Sequence, residues 1–186
     1  VFFNYHYDLS KDAQKKSQFE LLRSYLGYNY NFSEKFTTRV LLDVGFEEKI
    51  DSKGKASTSF TAFLKIASLE WKMNNMFGIE GGMIATHTFD LQEKFYGYRY
   101  ILETLIDKEK YYSSADLGVK ATFIPVEKLE FHAGLYNGEG YKKIQDSYGL
   151  QKASFDVVVR PFEGLVFKTY YDFHGMKDTA SGEVIE

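Results

Sequence analysis

A period of two runs along almost the whole chain, and it is held over long stretches. In "VFFNYHYDL", Val1, Phe3, Tyr5, Tyr7 and Leu9 fall on one face, and Asn4, His6 and Asp8 on the other. In "LLRSYLGYNYNF", Leu22, Leu26, Tyr28, Tyr30 and Phe32 oppose Arg23, Tyr25, Gly27, Asn29 and Asn31. The same alternation sets Val40, Leu42, Val44 and Phe46 against Arg39, Asp43 and Gly45. It returns at Leu117–Phe123, Leu129–Leu135 and Leu165–Phe173. Side chains point alternately to the two faces of a strand, so this pattern predicts strands with one apolar and one polar face. Nine are expected, near 1–9, 18–32, 36–46, 58–71, 76–86, 113–124, 128–137, 148–160 and 164–174.

Two architectures share this alternation. A sandwich turns its apolar face to a core, and a large barrel turns it to lipid. Strand length separates them, because an ordinary globular strand has about 5–6 residues. A tilted membrane-spanning strand needs about 9–11. Most of the expected strands fit the second figure. The connections also alternate. Short ones fall at 33–35, 72–75, 125–128 and 161–164. Long polar ones fall at "SKDAQKKS", "EEKIDSKGKAS", 87–112 and "NGEGYKKIQDS". Short turns on one side and long loops on the other are the plan of an outer-membrane barrel.

Composition agrees. Aromatic residues make up 18% of the chain, with 15 Tyr, 17 Phe and one Trp. Tyr and Trp suit a membrane interface, and Tyr28, Tyr30, Phe32, Phe36, Trp71 and Phe77 gather beside the short turns. No run reaches the roughly 18 apolar residues of a spanning helix. There is no cysteine, which excludes disulfides, thiolate catalysis and Cys-based zinc sites. The net charge of -3 gives no argument for nucleic acid. The fold class expected is therefore all-β: an antiparallel up-and-down transmembrane barrel in a single domain, 1–186. Val1 already lies inside a strand pattern and "KDTASGEVIE" reads as a polar loop, so the expectation is a barrel incomplete at both ends.

A charge facing lipid at the midplane costs about 2–4 kcal/mol for Arg or Lys. The charged face is therefore expected to be the lumen. It carries Arg23, Arg39, Lys65, Lys120, Lys152, Arg160 and Lys168, with Asp43, Asp116, Glu130, Asp156 and Asp172. Two readings stay open. These groups line a screened pore wall of weak ion selectivity, or they pair across strands and stiffen it.

The stretch 87–112 breaks the pattern. In "YGYRYILETLIDKEK", Ile101, Leu102, Leu105 and Ile106 fall at helical spacing, with Arg99, Glu103, Asp107 and Lys110 opposite. The expectation is one short helix in this loop, folded inward so that its apolar stripe meets the wall and Arg99 and Glu103 narrow the passage. A helix outside the barrel and a continued strand are the alternatives. The four histidines, His6, His87, His132 and His174, show no metal-ligand spacing, so no metal and no cofactor is expected. No nucleophile elbow or triad motif is present, so no enzyme activity is expected.

The ordered set "FLKIASLEWK", "EKFYGYRYILETLID" and "SSADLGV" resembles the porin-type outer-membrane proteins of Bacteroidetes and Chlorobi bacteria, distantly similar to the phosphate-selective porins. The resemblance spans most of the chain and is densest over 63–119. It implies a barrel of roughly sixteen or more strands, of which these nine form the N-terminal part. It implies passive diffusion of small hydrophilic solutes, ions such as phosphate among them, across a bacterial outer membrane. Membrane lipid, those solutes and a homotrimer are the partners implied. The chain departs from the family in having no dense ladder of Arg or Lys, which puts phosphate preference in doubt. Two alternatives stand beside the porin: a scaffold barrel with a plugged lumen that binds a partner protein, and a soluble all-β binding module.

Overall fold

A computed structural model describes residues 1–12, 17–50, 54–144, 149–177 and 184–185. Nine strands form one antiparallel sheet in strict sequence order. They are β1 (Phe2–Tyr7), β2 (Ser17–Asn31), β3 (Phe36–Ile50), β4 (Ala56–Lys72), β5 (Phe77–Ala85), β6 (Ala115–Val126), β7 (Leu129–Tyr136), β8 (Lys152–Val159) and β9 (Phe167–His174). Every neighbouring pair is antiparallel, with registers such as Phe36↔Trp71 and Phe46↔Phe60. All nine lie where the alternation places them. Among the described residues the sheet is open, with β1 and β9 at its edges. A separate pair, β10 (Met176–Lys177) and β11 (Val184–Ile185), falls at the stretch expected to be a loop, much of which lies outside the described residues.

Several boundaries differ from expectation: β8 begins at Lys152 and β9 at Phe167, later than the expected 148 and 164, and β3 and β4 are longer than expected. The polar stretch "EEKIDSKGKAS" is not mainly loop, because β3 runs on to Ile50 and β4 begins at Ala56. Cross-strand pairing of Glu47↔Ser59 and Glu48↔Thr58 continues the ladder.

The two faces of the sheet differ in what they expose and bury. One face exposes Leu26 (70%), Tyr28 (65%), Val40, Leu64, Leu69, Leu117, Val119 and Leu135. The other face buries Asp43, Ser68, Asp116, Lys152, Ser154 and Asp156. The first row is flanked by aromatics. Phe36 and Trp71 stack with ring centroids 6.0 Å apart at the short-turn end. Phe46 and Phe60 stack at 4.2 Å at the other end of the same two strands.

Two backbone features position the polar face. Lys65 is the extra residue of a β-bulge, since Leu42 pairs with Leu64 and Leu41 with Ile66. The bulge changes the parity of β4, so that Lys65, Ile66 and Ser68 all turn from the apolar face. Gly134 gives room to Tyr136, which is 1% exposed. A Cβ at Gly134 would lie 2.4 Å from the Tyr136 ring. The ring therefore lies flat over the sheet, and a large aromatic fills a site no side chain at Gly134 could share.

Candidate functional site

The excursion between β5 and β6 crosses the polar face. Its stem is closed by Thr86, whose amide and hydroxyl donate to the carbonyls of Ser114 and Ser113 at 3.2 and 2.7 Å. Helix α1 (His87–Tyr96) follows, ending at Gly97 in the left-handed conformation, φ 68°. A single turn, α2 (Leu105–Lys108), comes later. His87 and Phe89 of α1 are buried. The helix thus lies one segment earlier than the apolar spacing predicts. Ile101, Leu102 and Leu105 are exposed and do not meet the wall. The physical reason is Gly97. It stops the helix before the stripe begins, and the chain from Tyr98 to Leu102 then turns on the Tyr98 carbonyl, which accepts from the amides of Ile101 and Leu102.

Arg99 holds this loop together. Its guanidinium lies 2.5 Å from Asp107, 3.2 Å from Glu103 and 3.8 Å from Glu93. It also lies over the ring of Phe2 on β1, 5.9 Å from the centroid. At the other side of the sheet, Lys168 of β9 donates to the His87 carbonyl and to Asp90. The loop therefore touches both edge strands and spans the polar face between them.

The loop after β7 does the same. Tyr141 donates to Asp43 of β3 at 2.6 Å. Its ring meets Phe63 edge-on at 6.4 Å. Burial, and then the hydrogen bond to Asp43, push the Tyr141 hydroxyl well above the ordinary phenol range.

The expected wall residues lie on this face, mostly in pairs. Arg23 meets Asp43 at 3.1 Å, Lys120 meets Glu80 at 2.9 Å, and Arg160 meets Glu130 at 2.7 Å. Lys65 lies over the rings of Tyr25 and Tyr141. Lys152 lies over those of Tyr112 and Tyr136. Arg39 is exposed and lines a cleft with Tyr25, Lys65, Glu93 and Arg99. Glu103 is more exposed than Arg99 and serves the loop's own ion cluster.

One group was not legible from spacing. His87 of α1, His132 of β7 and Asp156 of β8 come together beneath the loop. Asp156 Oδ1 lies 2.7 Å from His132 Nδ1, and Oδ2 lies 3.5 Å from His87 Nδ1. The two imidazoles are 4.5 Å apart between centroids. The expectation that no histidines converge is corrected for these two. Chain spacing hides them because they lie 45 positions apart with a complete strand between them. Burial, followed by the charges of Lys120, His132 and Lys168, holds the His87 imidazole neutral, far below its ordinary range.

No family model, curated protein or solved structure matches this chain.

Proposed function

We propose that the chain forms part of an outer-membrane β-barrel that lets small hydrophilic solutes diffuse through its lumen. The observation that carries this reading is the inverted sorting of the two faces. Large apolar side chains lie exposed on one, while charged groups lie buried on the other beneath loops. In water such a face would be an aggregation surface, and in lipid it is the ordinary exterior. The aromatic rows give the scale. Phe36 and Phe46 are ten positions apart on β3, about 33 Å along a strand at ~3.3 Å per residue. At a tilt of about 40° that becomes ~25 Å, the height of the apolar band of such barrels.

The open edges of β1 and β9 require partners, because unpaired backbone groups are not tolerated in hydrocarbon. Further strands would close the barrel. The porin resemblance supports this, and adds a homotrimer in a bacterial outer membrane of the Bacteroidetes or Chlorobi kind. The wall charges are of both signs and largely paired, which favours weak ion preference over a phosphate-specific path. No catalytic step belongs to this reading.

The test is conductance of the protein in a planar lipid bilayer. Stepwise, ohmic channels are the expected result. Folded protein that inserts without conducting would end the diffusion reading. It would favour a second one, a plugged scaffold barrel that binds a partner protein. The two loops packed across the polar face, through Arg99 and Tyr141, are the observation behind that alternative. Protein that stays in solution without detergent would instead support a soluble binding module.

A further inference from the structure

We propose that His87, His132 and Asp156 form a binding site for a divalent transition cation of the zinc class, seated between the loop and the sheet. One ligand atom from each lies within 4.8 Å of the others. Tetrahedral zinc with bonds of about 2.0–2.1 Å places its ligand atoms about 3.3 Å apart. Asp156 Oδ2 lies 3.5 Å from His87 Nδ1, close to that value, while Oδ1 lies 2.7 Å from His132 Nδ1, a hydrogen bond that a cation drawing on both groups would open.

The second observation is an unmet demand. His87 is 2% exposed, yet neither of its ring nitrogens has a hydrogen-bond partner. Asp156 is 3% exposed, and its Oδ2 has none either. Buried polar atoms are ordinarily satisfied, and exceptions call for a reason. A cation would accept a lone pair from His87 and from Asp156 Oδ2 together. Two imidazoles and a carboxylate suit zinc and its neighbours rather than calcium or magnesium, which prefer oxygen donors.

Access and support are also present. His132 opens on a cleft of about 190 Å³, lined by Glu130, Arg160, Lys168 and Asp90. A fourth ligand position there would take water, as three-ligand zinc sites do. Nearby cations oppose the site, Lys120 and Lys168 among them. The Lys168 ammonium lies 3.9 Å from Asp156 Oδ1. It also has partners in Asp90 and the His87 carbonyl, and its charge lowers the affinity for a cation. An ion bound here would tie α1 to β7 and β8.

The experiment titrates the detergent-folded protein with Co²⁺ and records its visible ligand-field bands, with Zn²⁺ as competitor. Saturable bands that Zn²⁺ abolishes are expected. Asp156→Asn and His132→Gln should each weaken Co²⁺ binding on the order of 10-fold or more, as loss of metal-supporting groups does. Lys168→Met should tighten it. Heat-modifiable gel mobility reports folding for each variant, and His132, being partly exposed, keeps the test open if Asp156→Asn does not fold. Absence of saturable bands in the unmodified protein would overturn the site. So would wild-type affinity in folded His132→Gln. The readout is spectroscopic, so its failure leaves the diffusion reading standing.

Discussion

The Tyr141 hydroxyl donates to the Asp43 carboxylate at 2.6 Å, joining residues 98 positions apart. Asp43 also takes the Arg23 guanidinium, so one buried carboxylate anchors both a neighbouring strand and a distant loop. A hydrogen bond to a charged acceptor contributes about 1.5–3 kcal/mol. Tyr141→Phe should lower the free energy of loop docking by that amount. Faster amide hydrogen exchange in residues 137–144, with exchange in β3 unchanged, is the expected outcome.

The same contact sets an alkaline limit. The Tyr141 hydroxyl is held above the ordinary phenol value of 10.0 by burial and by Asp43. A folded-state value above the unfolded one means that the stabilisation is complete below pH 10 and is lost as pH rises further. Above that point the undocked loop, whose tyrosine ionises readily, gains population. Tyrosinate absorbance followed against pH should show a late-titrating phase to which Tyr141 contributes. Tyr141→Phe should lower the amplitude of that phase by one tyrosine, and an unchanged late amplitude in the variant would count against the assignment.

Arg99 is the shared cation of Glu93, Glu103 and Asp107. Arg99→Ala leaves three carboxylates without their shared cation, and the cost to loop order should be about 1–3 kcal/mol. In bilayer recordings the variant should show larger conductance and a reversal potential shifted toward cations. Unchanged conductance and ion preference would make the loop a lid or decoration rather than a constriction.

Gly134→Ala places a methyl 2.4 Å from the Tyr136 ring. Overpacking of this kind costs about 1–3 kcal/mol. Urea unfolding of the refolded protein should register that loss. Adding Tyr136→Leu should recover part of it, because the two positions compete for one volume. Strict additivity of the two changes would contradict the proposed packing.

Trp71 is the chain's single tryptophan and stands on the apolar face, stacked on Phe36. In vesicles its fluorescence should be quenched by brominated lipid labels near the headgroup more than by labels at mid-bilayer. It should sit roughly 12 Å from the centre, half the height of the apolar band. Strong quenching by aqueous iodide with none from lipid would place that face in water.

Strand number, order and approximate limits were legible because each rests on local alternation, as with Val40, Leu42, Val44 and Phe46. The assignment of polar residues to one face was legible for the same reason. The helix was misplaced because two signals competed. Ile101, Leu102, Leu105 and Ile106 offer helical spacing, while Gly97 offers a stop, and the backbone obeys the stop. The start at Thr86, with Asp90 in the first turn and Lys94 in the last, was available in the sequence. The convergence of His87, His132 and Asp156 was not, because it depends on how far a loop reaches back over a sheet. Pair identities such as Arg160 with Glu130 likewise depend on register, which alternation alone leaves free.

The bulge at Lys65 bears on how this chain tolerates change in length. Leu64 and Ile66 already face consecutive partners on β3, so Lys65 occupies no rung of the ladder. Its excision would close the strand without turning any outward residue inward. Removal of any residue from Leu69 to Trp71 would instead put the rest of β4 out of phase with the apolar face. Among the positions of β4, the one carrying a buried-side cation is thus the one at which the chain can lose a residue and keep its surface.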